Sequence, residues 1–100
     1  MRTREKSFED YGMTKDEVEY VKKFCINSTA EQRQMIKNAL SEISPYIAEK
    51  CLESLVENKS FEDLCKEEYV FICKDDFYGY RRKGIEAIKR WMIWNNIWEM

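Results

Sequence analysis

The sequence predicts an all-α fold of about five helices, closing on a helix-turn-helix with a long last helix. Two observations carry this. The 100 residues include only three Gly and one Pro, so few positions interrupt a helix. Helix-start signals recur along the chain, each followed by apolar residues at helical spacing. The composition adds that the chain folds: 44% hydrophobic and 14% aromatic residues supply one core, and a disordered chain lacks such aromatics.

Residues 1–13 are polar apart from Phe8, Tyr11 and Met13, and read as a flexible arm. Residues 14–100 read as one helical domain. Thr14 with Glu17 forms a capping box, and Val18, Val21, Phe24 and Cys25 follow on a helix at roughly 15–26. Ser28 with Glu31 reads as a second box, opening a helix at roughly 29–43 along Met35, Ile36, Ala39, Leu40 and Ile43. Ser44-Pro45 starts the third, roughly 45–57, since Pro suits the first helical position. Ser60 opens a short fourth helix, roughly 61–68, with Phe61, Leu64 and Cys65 facing in. The apolar run Tyr69-Val70-Phe71-Ile72-Cys73 reads as a buried connection in which a β-bridge would fit. Asp75 and Asp76 open the last helix, roughly 75–94. Gly79 and Gly84 inside it each cost about 1 kcal/mol against Ala, which suggests a close approach by another helix or a ligand.

Several functions are disfavoured. The chain has no His, which removes the commonest general base and zinc ligand. Asp75-Asp76 and Glu67-Glu68 are better explained as caps and a solvated face than as paired catalytic carboxylates. An enzyme is not expected, nor is a metal or cofactor. The four cysteines, at 25, 51, 65 and 73, match no metal-ligand spacing and are expected to be mostly buried, unbridged thiols. No apolar run reaches the length of a membrane span and the first residues do not form a signal peptide, so a cytoplasmic protein with no membrane partner is expected.

The net charge is −2, but it is unevenly spread. Residues 1–73 carry 11 basic and 15 acidic side chains, residues 74–100 carry 6 and 4, and the stretch 81–90 has five basic residues and one Glu. A short helix, a connection and a second helix with cations and tyrosines near its start, at about 60–93, is the layout a helix-turn-helix needs. The segments Ser60-Phe61-Glu62-Asp63-Leu64 and Cys73-Lys74-Asp75-Asp76-Phe77-Tyr78-Gly79-Tyr80-Arg81-Arg82-Lys83-Gly84-Ile85 resemble the C-terminal helix-turn-helix of phage-encoded transcriptional activators of the RinA/ArpU type. That unit is in turn similar to region four of bacterial sigma factors. The resemblance covers about the last 40 residues well and residues 29–59 loosely.

The resemblance implies a small DNA-binding transcriptional regulator of phage or mobile-element type. It would contact duplex DNA through the helix at about 75–90, and RNA polymerase if the sigma likeness extends that far. Lys74, Tyr78, Arg81, Arg82, Lys83, Lys89 and Arg90 are the candidate nucleic-acid contacts. The competing reading of the cations is an ordinary solvated helix face, and of Tyr78 and Tyr80 core packing. The alternative function is a non-enzymatic protein-interaction module that keeps the fold without binding DNA, which the acidic first 73 residues and the Trp-rich tail support. Trp91, Trp94 and Trp98 fall at i, i+3 and i+7, a stripe that either packs on the first three helices or forms a partner surface. Trp91 is expected to dock within the chain, and Trp94 and Trp98 to serve a homodimer seam or another partner.

Overall fold

The computed structural model describes residues 2–100. Five α-helices follow the arm: α1 (Lys15–Ile26), α2 (Ala30–Ala39), α3 (Pro45–Glu57), α4 (Phe61–Glu67) and α5 (Lys74–Trp94). Single 3-10 turns lie at Thr3–Glu5, Glu9–Tyr11 and Leu40–Glu42, and there is no strand among the described residues. The fold is all-α, with a last helix of 21 residues.

Local chemistry sets most helix starts. The Thr14 hydroxyl accepts from the Glu17 N–H while the Glu17 carboxylate accepts from the Thr14 N–H. Ser60 and Asp63 do the same for α4. At α2 the box lies one residue later than the sequence suggests: Thr29 pairs with Gln32. Ser28 is instead turned back, donating its hydroxyl to the Cys25 carbonyl at 2.6 Å and closing the end of α1. Asn58, with φ 53°, ends α3 in the left-handed conformation that Asn tolerates.

α5 is the axis of the molecule and packs against each of the other four helices. Its Phe77, Ile85, Ile88 and Met92 are fully buried with Val21 and Cys25 of α1, Ile36 of α2, Leu40 of the 3-10 turn that follows it, Cys51 and Leu55 of α3, and Leu64 of α4. Four such side chains contribute roughly 6–12 kcal/mol of gross burial free energy, at about 1.5–3 kcal/mol each. Gly84 lets Leu40 pack close, because a Cβ there would lie 2.6 Å from Leu40 Cδ2 and the leucine would have to shift.

Two parts of the core differ from expectation. Cys25 and Cys51 are buried, but Cys65 and Cys73 are exposed; all four are unbridged. The cause is the shortness of α4, which buries only Leu64, and the place of Cys73 as the N-cap of α5. The connection between α4 and α5 is buried only in part. Val70 points in, while Tyr69 and Phe71 are 75% and 78% exposed.

The arm lies along α5. Its second half is anchored by Phe8, Tyr11 and Met13 against the core. Its first half touches α5 through backbone and polar groups: a Cβ on Gly79 would come within 2.6 Å of Arg4 Cα and 2.9 Å of the Thr3 carbonyl oxygen. At the other end, α5 stops at Trp94. Asn96 takes a left-handed φ of 58°, and the Ile97 N–H returns to the Met92 carbonyl at 2.9 Å. The tail then folds back on α1, where Trp98 meets Tyr20 edge-on with ring centroids 4.8 Å apart. The i, i+3, i+7 stripe of tryptophans therefore does not exist as one helical face. No helix among the described residues is long and apolar enough to cross a membrane.

Candidate interaction surface around the last two helices

α4, the six-residue connection and α5 bring the candidate nucleic-acid contacts into view, and most of them are already engaged. Arg81 is turned inward. Its Nε donates to Ser54 Oγ at 3.1 Å, its guanidinium lies 5.9 Å from the centre of the Tyr78 ring, and burial lowers its pKa. Periodicity explains this: residues 77, 81, 84 and 88 share the face of α5 that meets the core. Arg82 holds the arm, donating from Nε to the Lys6 carbonyl at 2.7 Å and from Nη2 to the Arg4 carbonyl at 3.2 Å.

The remaining cations find carboxylates. Lys89 pairs with Glu17 of α1 at 2.6 Å, both side chains being 20% exposed, and lies over the Trp98 ring. That lysine, together with the cap at Thr14, holds the Glu17 carboxyl below its usual range. Arg90 forms a fork with Glu42, at 2.6 and 3.2 Å, and also binds Glu86 at 2.7 Å. Lys74 pairs with Glu62 of α4 at 2.6 Å, a pairing that raises the lysine pKa and lowers that of the glutamate. Lys83 makes no ion pair among the described residues. Tyr78 is half-buried against Phe77, and its hydroxyl oxygen accepts from the Phe61 N–H at 3.0 Å, tying α5 to the start of α4.

The outward face of the first half of α5 is also occupied. Residues 2–6 lie on it at Gly79, and Arg4 pairs with Asp75 at 3.0 Å and Asp76 at 3.5 Å. These two aspartates are not the cap the sequence suggests: Cys73 is the N-cap of α5, and they follow as the helix's second and third residues, where they suit its dipole and anchor the arm.

Sequence reasoning passed over a different surface. Tyr69 and Phe71 stack edge-on at 4.7 Å, and Phe71 meets Tyr46 of α3 at 6.0 Å. The Phe71 N–H donates to the Tyr46 hydroxyl at 3.0 Å. Below them the nearly buried Lys50 pairs with Glu68 and lies 5.8 Å from the centre of the Tyr46 ring. The connection is thus held by a hydrogen bond and an ion pair while it presents two aromatic rings to solvent. The alternation of Tyr69 and Phe71 outward with Val70 inward was present in the sequence as a two-residue period, over a run too short to read.

Trp94 and Trp98, grouped in the sequence, are separated in space. Trp94 is 87% exposed on the last turn of α5, whereas Trp98 is packed on Tyr20, and the adjacent Glu99 N–H donates to the Tyr20 hydroxyl at 3.3 Å. Trp91 packs against the core. Among the described residues, no three His, Cys, Asp or Glu side chains come together to hold a metal ion. The chain matches no family model, and comparison with curated proteins and with solved structures finds no match.

Proposed function

We propose that this protein is a non-enzymatic protein-interaction module in which the α4–α5 connection, together with Tyr46 of α3, presents the Tyr46–Tyr69–Phe71 surface to an apolar protein partner. One contrast carries the reading. Five of the six cations of α5 are engaged by groups of the same chain, while two aromatic rings beside its start are left uncovered. Exposed aromatic side chains grouped in this way are the residues that dominate interface energetics.

A second reading is duplex DNA binding by a transcriptional regulator, with RNA polymerase as a further partner. It is favoured by Lys74 and Lys83 on the second helix of a helix–connection–helix unit. The Lys74–Glu62 pair has side chains 58% and 53% exposed, and such a surface pair is cheap to exchange for a phosphate. One titration separates the two. With a fluorescent duplex at about 50 mM salt, the module reading expects no binding tighter than about 100 µM. Tighter binding, lost in a Lys74→Ala, Lys83→Ala double variant and falling steeply with salt, would establish the DNA reading instead.

A further inference from the structure

A groove runs between α2 and α3. One part of it, of about 670 Å³, lies between Lys37 and Ser41 on one side and Pro45 and Glu49 on the other. A second part, of about 270 Å³, lies between Arg33 of α2 and the stretch of α3 that carries Glu53 and Glu57. Glu49 and Leu52 line both parts, so the groove is continuous. Its floor is apolar, because Ala48, Leu52 and Val56 stand at i, i+4 and i+8 on α3. Neither Tyr69 nor Phe71 lines it, which sets it apart from the aromatic surface of the connection. We infer that this groove docks an amphipathic helix of a protein partner, one with an apolar stripe, basic side chains along one edge and acidic side chains along the other.

The charge of the two walls selects this occupant. On the α2 wall Arg33 and Lys37 stand at i and i+4; on the α3 wall Glu49, Glu53 and Glu57 repeat at the same spacing. Among the described residues, none of Arg33, Lys37 and Glu49 makes an ion pair. Arg33 donates instead to the neutral Ser28 hydroxyl at 3.4 Å. Glu53 and Glu57 share Lys59, but that lysine also binds Glu67, so the α3 wall stays acidic. The walls face each other with opposite charge and do not pair across the groove. A ligand polarised across its own width complements both at once.

A helix meets this need better than an extended chain. Its side chains at i and i+4 repeat about every 6 Å, the step of both charged rows. Its backbone groups are paired internally, whereas an extended chain laid over Ala48, Leu52 and Val56 would leave amides without partners. The charges also set a direction. Turning an amphipathic helix end for end, with its apolar stripe kept on the floor, exchanges its two edges, so only one direction matches the walls.

An NMR titration of the nitrogen-15-labelled full chain tests the proposal. The probe is a designed helical peptide of about 15 residues with a Leu stripe, Lys along one edge, Glu along the other and a nitroxide on its first residue. It should shift the amides of Lys37, Ala48 and Leu52 with a dissociation constant on the order of 100 µM. A peptide with Gln along both edges should bind at least about fivefold more weakly, since each exposed ion pair contributes roughly a factor of two. A peptide with the Lys and Glu edges exchanged should bind as well as the first but reversed, moving the nitroxide broadening to the opposite end of the groove. Glu49→Lys should weaken both charged peptides by about threefold or more with an unchanged circular dichroism spectrum. A Tyr69→Ser, Phe71→Ser double variant should bind like the parent, so this site stands or falls independently of the aromatic surface. The inference is overturned by a chain that shows no shifts at about 1 mM peptide, or by equal binding of the Gln-edged peptide. Broadening that stays at one end when the edges are exchanged, or shifts confined to the connection at Tyr69 and Phe71, overturns it as well.

Discussion

Along its first half, α5 is covered on two sides, by the helices on one and by residues 2–6 on the other. Along its last turn only the inner side is covered. Charge alone would suggest the reverse, since the first half holds Arg81, Arg82 and Lys83 and the last turn holds Ile93 and Trp94. The difference lies in available partners. A guanidinium can be enclosed wherever acceptors converge, and Arg82 finds two backbone carbonyls while Arg81 finds the Ser54 hydroxyl and the Tyr78 ring. An indole at the end of a helix is covered only if chain remains to cover it, and here the tail turns toward Tyr20. Enclosure follows the geometry of what is nearby more closely than the polarity of the residue itself.

The sharpest way to break this contrast is to remove one aromatic from each end. Phe77→Ala empties a fully buried site packed on Phe61 and Tyr78. It should cost about 3–5 kcal/mol in urea unfolding. Trp94→Ala should change stability by less than about 0.5 kcal/mol. Equal losses would mean that Trp94 is covered within the chain.

Gly79→Ala tests the outer cover of the first half. The new Cβ meets arm backbone at 2.6 Å, which cannot swing aside as a side chain would. The arm should undock, and tryptic cleavage at Arg4 and Lys6 should accelerate at least roughly tenfold. Global stability should move little, because Ala favours the helix by about 1 kcal/mol and offsets part of the lost docking. Continued protection of the arm would show that the backbone contact yields.

The middle of α5 is probed through pH. Glu17 has its pKa lowered by Lys89, so its contribution is present above the unfolded value of about 4.5 and is lost as pH falls through the lower folded value. Glu17→Gln should cost about 1 kcal/mol at pH 7 and flatten the acid side of the stability curve. An acid limb as steep as the parent's would assign that loss to other carboxylates.

The smallest effect concerns salt. Arg4 pairs with Asp75 and Asp76 at the surface, whereas Arg82 bonds neutral carbonyls. Raising salt to about 0.5 M should speed hydrogen exchange at the Glu5 and Lys6 amides by only about twofold. A larger increase would mean that the aspartates, rather than Arg82, hold the arm.

What the sequence could disclose was what is decided locally. The Thr14 and Ser60 boxes, Pro45 at the head of α3 and the apolar stripes of α1, α3 and α5 depend on neighbours within four residues, and the helices lie where those signals put them. The Ser28–Thr29 start slipped by one residue because both hydroxyls suit a cap, and only the fold shows that Ser28 is used by α1. The glycines announced close approaches without saying by what: Gly84 receives Leu40, and Gly79 receives the arm. The charge of Arg81 suggests an exposed side chain, but its position four residues after Phe77 turns it inward toward Ser54. The engagement of Arg82 with Lys6, 76 residues away, has no local signature at all.

The cysteines give the molecule two chemical speeds. Cys25 and Cys51 have no exposed surface, and burial pushes both thiols up to about 12. At pH 8 their thiolate fraction is on the order of one in ten thousand, so an alkylating reagent reaches them mainly when the core opens. Cys65 and Cys73 stand in solvent on either side of the aromatic connection. A thiol reagent thus acts as a pair of clocks within one chain, a fast one that reads what covers the connection and a slow one that reads the lifetime of the closed core.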